Sequence, residues 1–143
     1  MQKPMKKVIK KHAEKLRFAV VGGANTLLDF SILFLLVALG LDRVPSNFIS
    51  TGVAFIFSFF VNKSFTFKST SGNVKKQFAI FLVITLFGLW VIQPIIIVAT
   101  EYLISDLGIS DPVVLFIGKL IATVATLVWN YTLYSRFVFK TRI

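Results

Sequence analysis

Apolar residues along this chain gather into four runs, residues 18–39, 48–61, 78–100 and 112–134, separated by stretches rich in Lys, Ser, Asn, Gly and Pro. About twenty apolar residues at about 1.5 Å rise each cross the roughly 30 Å hydrocarbon layer of a bilayer. The pattern predicts an all-α integral membrane protein with four transmembrane helices in residues 18–140, followed by a tail at 141–143. Ahead of them, residues 1–17 place Met5, Val8, Ile9, Ala13 and Leu16 on one helical face and Lys6, Lys7, Lys10, Lys11 and Lys15 around the other. That segment is expected to be a basic amphipathic helix lying in the membrane interface and turning inward at Arg17 and Phe18. His12, on its apolar side, is read as an interfacial histidine rather than a ligand.

The breaks between runs carry their own signals. Gly40 to Asn47 reads as a tight polar turn in which Ser46 or Asn47 caps the second helix. Residues 62–77 read as an exposed linker, and 101–111 as the longest outer segment, with Asp111 before Pro112 starting the fourth helix. Pro94 predicts a kink near Gln93, whose amide can satisfy the carbonyl that the proline frees.

Polar residues inside the apolar runs are the candidate functional groups. In the first run Gly22, Asn25, Thr26 and Asp29 share a face about 100° wide, and Asp29 falls near mid-membrane, where a carboxylate costs about 3 kcal/mol. A second stripe joins Asn47, Ser50, Thr51, Ala54, Ser58 and Asn62, and a third aligns Lys119, Thr123, Thr126 and Asn130. Such stripes serve either helix packing or a polar path for substrate. Asp29 and Lys119 are the two opposite charges within the spans, and they are expected to face one another or a shared cavity, with Glu101 a rival partner for Lys119.

Composition agrees with the pattern: 56% hydrophobic residues, sixteen Phe and mean hydropathy +0.82 in a 143-residue chain describe one membrane domain. Cysteine is absent and His12 is the single histidine, which removes disulfides, thiol catalysis and the usual zinc sites; no metal or cofactor is expected. The net charge of +10 is concentrated beside the spans, which suits an anionic membrane leaflet and not nucleic acid. Fourteen of the sixteen Lys and Arg fall on the side that holds both termini, so both termini are expected in the cytoplasm. The small residues Ala38 and Gly40 after the first run suggest a signal-peptide cleavage site, but the run is too long for one and contains Asp29. No enzyme is expected: paired carboxylates and a nucleophile with its base are lacking. Gly22-Gly23, read as a close-packing pair, has no phosphate-loop context.

The halves of the chain repeat. Lys15-Leu-Arg-Phe-Ala-Val matches Lys75-Lys-Gln-Phe-Ala-Ile, and SFFVNKSFTFK at 58–68 matches NYTLYSRFVFK at 130–140. Two hairpins entering from the same side form a parallel repeat. With RFAVVGGANTLLD in the first span, Asn-Lys-x-Phe-Thr-Phe at Asn62 to Phe67, and Asn130-Tyr followed by Arg136-Phe-x-Phe, the chain resembles the GtrA-like proteins over roughly Leu16 to Lys140. It departs from that pattern at Ser58-Phe59, where the family has Asn-Phe, and at Phe65 and Phe137, where it has Trp.

The resemblance implies translocation of a polyprenyl-phosphate-linked sugar across a prokaryotic cytoplasmic (inner) membrane for cell-surface polysaccharide glycosylation. Asn25, Asp29, Lys119 and Asn130 would then shield the sugar and phosphate, with Arg17, Lys63, Arg136 and Lys140 receiving the phosphate at the inner surface. Two other functions remain open: a noncatalytic scaffold for a membrane glycosyltransferase, and a small-solute or proton-coupled exporter using Asp29. The expected partners are the lipid-linked sugar, membrane lipids, a membrane glycosyltransferase and further copies of the chain in a homo-oligomer, a dimer first, since four helices enclose little polar volume.

Overall fold

The structure, a computed structural model, describes residues 2–140, and all regular elements among them are helical. The expected tail at 141–143 lies outside the described residues. Four helical segments are long and apolar enough to cross a membrane, and this is a four-span, multi-pass membrane protein. The chain divides into two compact units, one ending at Gly72 and the other covering Asn73–Lys140.

The first unit is a hairpin of α1 (Gln2–Ala38) and α2 (Arg43–Val61). Helical bonding continues unbroken from the basic segment through Arg17 and Phe18, so the expected inward turn there is not a break in the helix. No Gly, Pro or competing side-chain cap interrupts residues 5–21, so nothing local favours a turn there. α1 ends where Gly40, at φ 92°, lets the amide of Leu41 reach the carbonyl of Leu36 at 3.1 Å, closing the last turn.

α2 begins earlier than expected, with Asp42 in the N-cap position rather than Ser46 or Asn47. Pro45 thus sits in the first turn, where its missing N–H costs no helical bond. Ser46, Ser50 and Ala54 form a buried stripe of small residues at four-residue spacing, the pattern that lets membrane helices approach closely. The segment read as a linker begins instead with a π-turn, Asn62–Thr66, closed by Phe67 N–H to Asn62 C=O at 2.9 Å. Thr66 and Phe67 are buried, and Phe67 packs against Phe18 with ring centroids 6.2 Å apart.

In the second unit, α3 (Val74–Phe87), a π-turn (Gly88–Ile92) and α4 (Gln93–Ile104) make one long span. The side chain of Asn73 accepts from the amide of Lys76 at 3.2 Å and starts α3. Pro94 does perturb this span, and the perturbation takes the form of the π-turn just before it, where Gln93 N–H reaches back to Gly88 C=O. A widened turn relieves the clash between the proline ring and the preceding turn. The span runs on through Ile104 and a 3-10 turn at Ser105–Leu107 before Gly108 ends it at φ 69°, so most of the expected outer segment is helix.

α5 (Asp111–Leu133) starts beside Pro112 as expected and continues into a third π-turn, Tyr134–Val138. Its buried stripe is Val114, Gly118, Ala122 and Thr126, again at four-residue spacing. Gly118 lies against Ile97 and Thr100 of α4, close enough that a Cβ would meet their atoms at 3.4 Å. Aromatic packing finishes the unit: Phe81 stacks on Tyr134 at 4.4 Å, and Phe87 stacks on Trp129 at 5.2 Å.

The internal repeat extends to backbone detail. Each hairpin ends in a π-turn followed by a buried phenylalanine, Phe67 or Phe139, whose amide closes the turn at 2.9 or 2.8 Å. A lysine of positive φ then ends each helix, Lys68 at 50° and Lys140 at 30°.

Candidate functional site

In the first unit the polar groups form a seam with a cation at one end. Arg17 is half-buried on α1 and donates from Nε and Nη2 to the carbonyl of Thr66, at 3.3 and 3.2 Å. This bond fixes α1 to the π-turn that carries Lys63, itself half-buried. Two turns further along α1, about 12 Å on, Asn25 is half-buried with its Oδ1 fully enclosed. Another turn on, Asp29 accepts a long hydrogen bond, 3.5 Å, from the hydroxyl of Thr51 on α2. Thr26, expected in the same stripe, is exposed and donates to Gly22 C=O of its own helix at 3.1 Å.

Besides Ser46 Oγ in the stripe of small residues, three side-chain oxygens among this unit's described residues are buried without a hydrogen-bond partner: Oδ1 of Asn25, Oδ1 of Asn62 and Oγ1 of Thr66. Asn62 and Thr66 are 2% and 0% exposed. Asn62 uses its Nδ2 on Ser58 Oγ at 3.2 Å. A buried acceptor or hydroxyl left unmatched costs about 1–3 kcal/mol, so the three are a concentrated expense in a hairpin otherwise closed by small residues.

In the second unit Lys119 is exposed and donates from Nζ to Oε1 of Gln93 at 3.2 Å. Gln93 therefore serves the intramembrane cation, and the role expected for it at the carbonyl freed by Pro94 is taken over by the π-turn. Asn130 is half-buried with an enclosed, unpartnered Oδ1 near Gly88. Arg136, within the last π-turn, and Lys140, just after it, are exposed. The stripe Lys119, Thr123, Thr126, Asn130 is split by depth: Thr126 is buried, whereas Lys119 and Thr123 are exposed.

Within the first unit Arg17 and Lys63 lie at one π-turn and Asp29 pairs with Thr51; within the second, Lys119 pairs with Gln93. Thr66 was missed because its segment read as a linker. The signal was in the repeat, which sets Thr66 against Val138 and Asn62 against Tyr134, apolar or aromatic where the first half is polar.

These features define a multi-pass membrane protein made of two related helical hairpins. The GtrA/DPMS transmembrane domain matches residues 17–139, and the chain belongs to that family. It is also 29% identical over 115 residues to a membrane protein of Bacillus subtilis (strain 168), YngA, described as uncharacterised; the match covers 80% of this chain and 72% of that protein.

Proposed function

We propose that this protein moves a polyprenyl-phosphate-linked sugar across a prokaryotic cytoplasmic membrane, for use in cell-surface polysaccharide glycosylation, without catalysing a chemical step. The observation that carries this reading is the first hairpin's seam, where a cation, a carboxylate and three unpartnered buried oxygens lie along a membrane-spanning pair of helices. Sugar hydroxyls both donate and accept, so they answer acceptors such as Asn25 and Asp29 that hydrocarbon leaves unsatisfied. The polyprenyl chain stays in lipid. Of the cations expected to receive the phosphate, Arg17 and Lys63 lie at the π-turn that ends this seam.

Reconstitution in sealed vesicles tests the proposal. A short polyprenyl-phosphate hexose loaded in the outer leaflet should reach the inner leaflet only in vesicles holding the protein. Asp29→Asn should slow this about tenfold or more, since one charge-assisted hydrogen bond contributes about 1.5–3 kcal/mol. Protein that moves no lipid yet retains a glycosyltransferase on purification would establish the scaffold reading instead, and efflux driven by a pH gradient would establish the exporter.

A further inference from the structure

The two hairpins share a backbone turn and differ in what fills it. In the second, Tyr134 is 3% exposed, stacks on Phe81 and shares a hydrogen bond with Thr85, while Val138 brings no polar atom. In the first, Asn62 stands where the tyrosine does and Thr66 where the valine does, and each leaves a buried oxygen without a partner. On the leading helices the corresponding residues are Gln77 and Arg17.

Arg17 is only partly committed at this turn. Two of its five N–H donors share a single acceptor, the Thr66 carbonyl, and both bonds are long at 3.2 and 3.3 Å. Turning the Asn62 amide over lets Ser58 donate to it and places Nδ2, a donor, in the unpartnered position. The Arg17 guanidinium, the Asn62 amide and the Thr66 hydroxyl are then donors belonging to one turn at the end of a membrane hairpin. With Lys63 in the turn and Glu14 one turn before Arg17, the local balance is two bases to one acid. The ligand that suits a guanidinium fork backed by neutral donors is a phosphate group.

We propose that the π-turn of the first hairpin, with Arg17, Asn62 and Thr66, is the phosphate-binding site of this protein, and that the second hairpin's turn is a packed structural copy without a ligand. On arrival a phosphate oxygen replaces the Thr66 carbonyl as the acceptor for Arg17. Naming a lipid as the bearer of the phosphate rests on the transport reading above.

Binding to the full chain in nanodiscs tests this, with farnesyl phosphate, farnesol and inorganic phosphate as probes. Farnesyl phosphate should bind about tenfold or more tightly than farnesol. Displacement by inorganic phosphate at equal concentration would reject the lipid as the source. The informative variants are Arg17→Gln and Thr66→Val, because both residues already occupy the same places in the second hairpin. Arg17→Gln should weaken farnesyl phosphate about tenfold or more, and Arg17→Lys should restore part of the loss. Thr66→Val should weaken it while leaving the melting temperature unchanged or higher, the opposite of what a merely structural hydroxyl gives. Tyr134→Phe should lower the melting temperature and leave affinity intact. Unchanged affinity in the folded Arg17→Gln, Thr66→Val double variant overturns the site, and a loss in Tyr134→Phe matching that of Arg17→Gln overturns the asymmetry. Vesicle transport separates the two proposals: transport surviving in the double variant removes the site alone, whereas Arg17-dependent binding by a protein that transports nothing removes the transport reading alone.

Discussion

A methyl group at position 88 would lie 2.8 Å from Cγ2 of Thr126 and 3.4 Å from Oδ1 of Asn130. Gly88→Ala should therefore destabilise the second unit by about 1–3 kcal/mol, the range for overpacking a tight contact, visible as a lowered melting temperature in detergent. Gly23→Ala should be nearly neutral, because nothing lies within 4 Å of its added carbon. The sequence reading treated Gly22-Gly23 as a close-packing pair, but adjacent helical positions point about 100° apart, and Gly23 faces outward. Lys119 shows the same limit on what a sequence reveals. Its place in a polar stripe was legible, yet its bond to Gln93 depends on a π-turn that shifts the face on which Gln93 sits. Gln93→Leu should leave the ammonium unpartnered and destabilise the span, whereas Lys119→Met should not, since it removes the charge itself. A double-mutant cycle in thermal unfolding should give a coupling of about 1 kcal/mol.

At the scale of elements, the four spans could be read because hydropathy fixes length and position when the solvent is a bilayer. Their ends could not. The lysine- and serine-rich stretch after the second run read as a linker, yet Asn62–Thr66 continues its helix as a π-turn that leads into buried Phe67. The repeat was the better guide, since its Phe-x-Phe-Lys ending marks the buried phenylalanine in each half. The join at Arg17 is a different matter: amphipathicity states which face is apolar and says nothing about whether the helix runs on into the span. Continuity of α1 through Arg17 matters for the seam, because it fixes the guanidinium on the Thr66 carbonyl. Leu16→Pro would remove the amide bond to the preceding turn and clash with it, at about 3 kcal/mol or more. A separate interfacial helix with a turn at Arg17 would tolerate that change. The expected outcome is a loss of helicity by circular dichroism and of stability in the purified variant.

For the whole molecule, we propose that both termini lie in the cytoplasm and that the working form is a homodimer. The first proposal rests on where the basic residues fall, and the absence of cysteine makes it direct to check. A single cysteine at Thr70 should be protected from an impermeant thiol reagent in intact cells, and one at Ser110 should react. The second rests on polar groups, not apolar ones, since exposed Leu or Phe is at no disadvantage in lipid. Open apolar grooves, such as that of about 520 Å³ beside Pro94, Val98 and Tyr102, are comfortable against acyl chains. Thr51, Lys119 and Thr123 are different: they are exposed within the spans of a single chain. A lipid-facing ammonium costs about 2.5–3.5 kcal/mol near the membrane centre on insertion scales. A second copy can cover such groups on both chains at once through an isologous interface. Mass measurement in native-membrane particles should therefore give twice the chain mass. Lys119→Met should weaken the dimer if Lys119 lies in that interface and leave it intact if the ammonium instead meets lipid phosphate. An active preparation containing monomers alone would remove the dimer and leave the seam of the first hairpin to work within one chain.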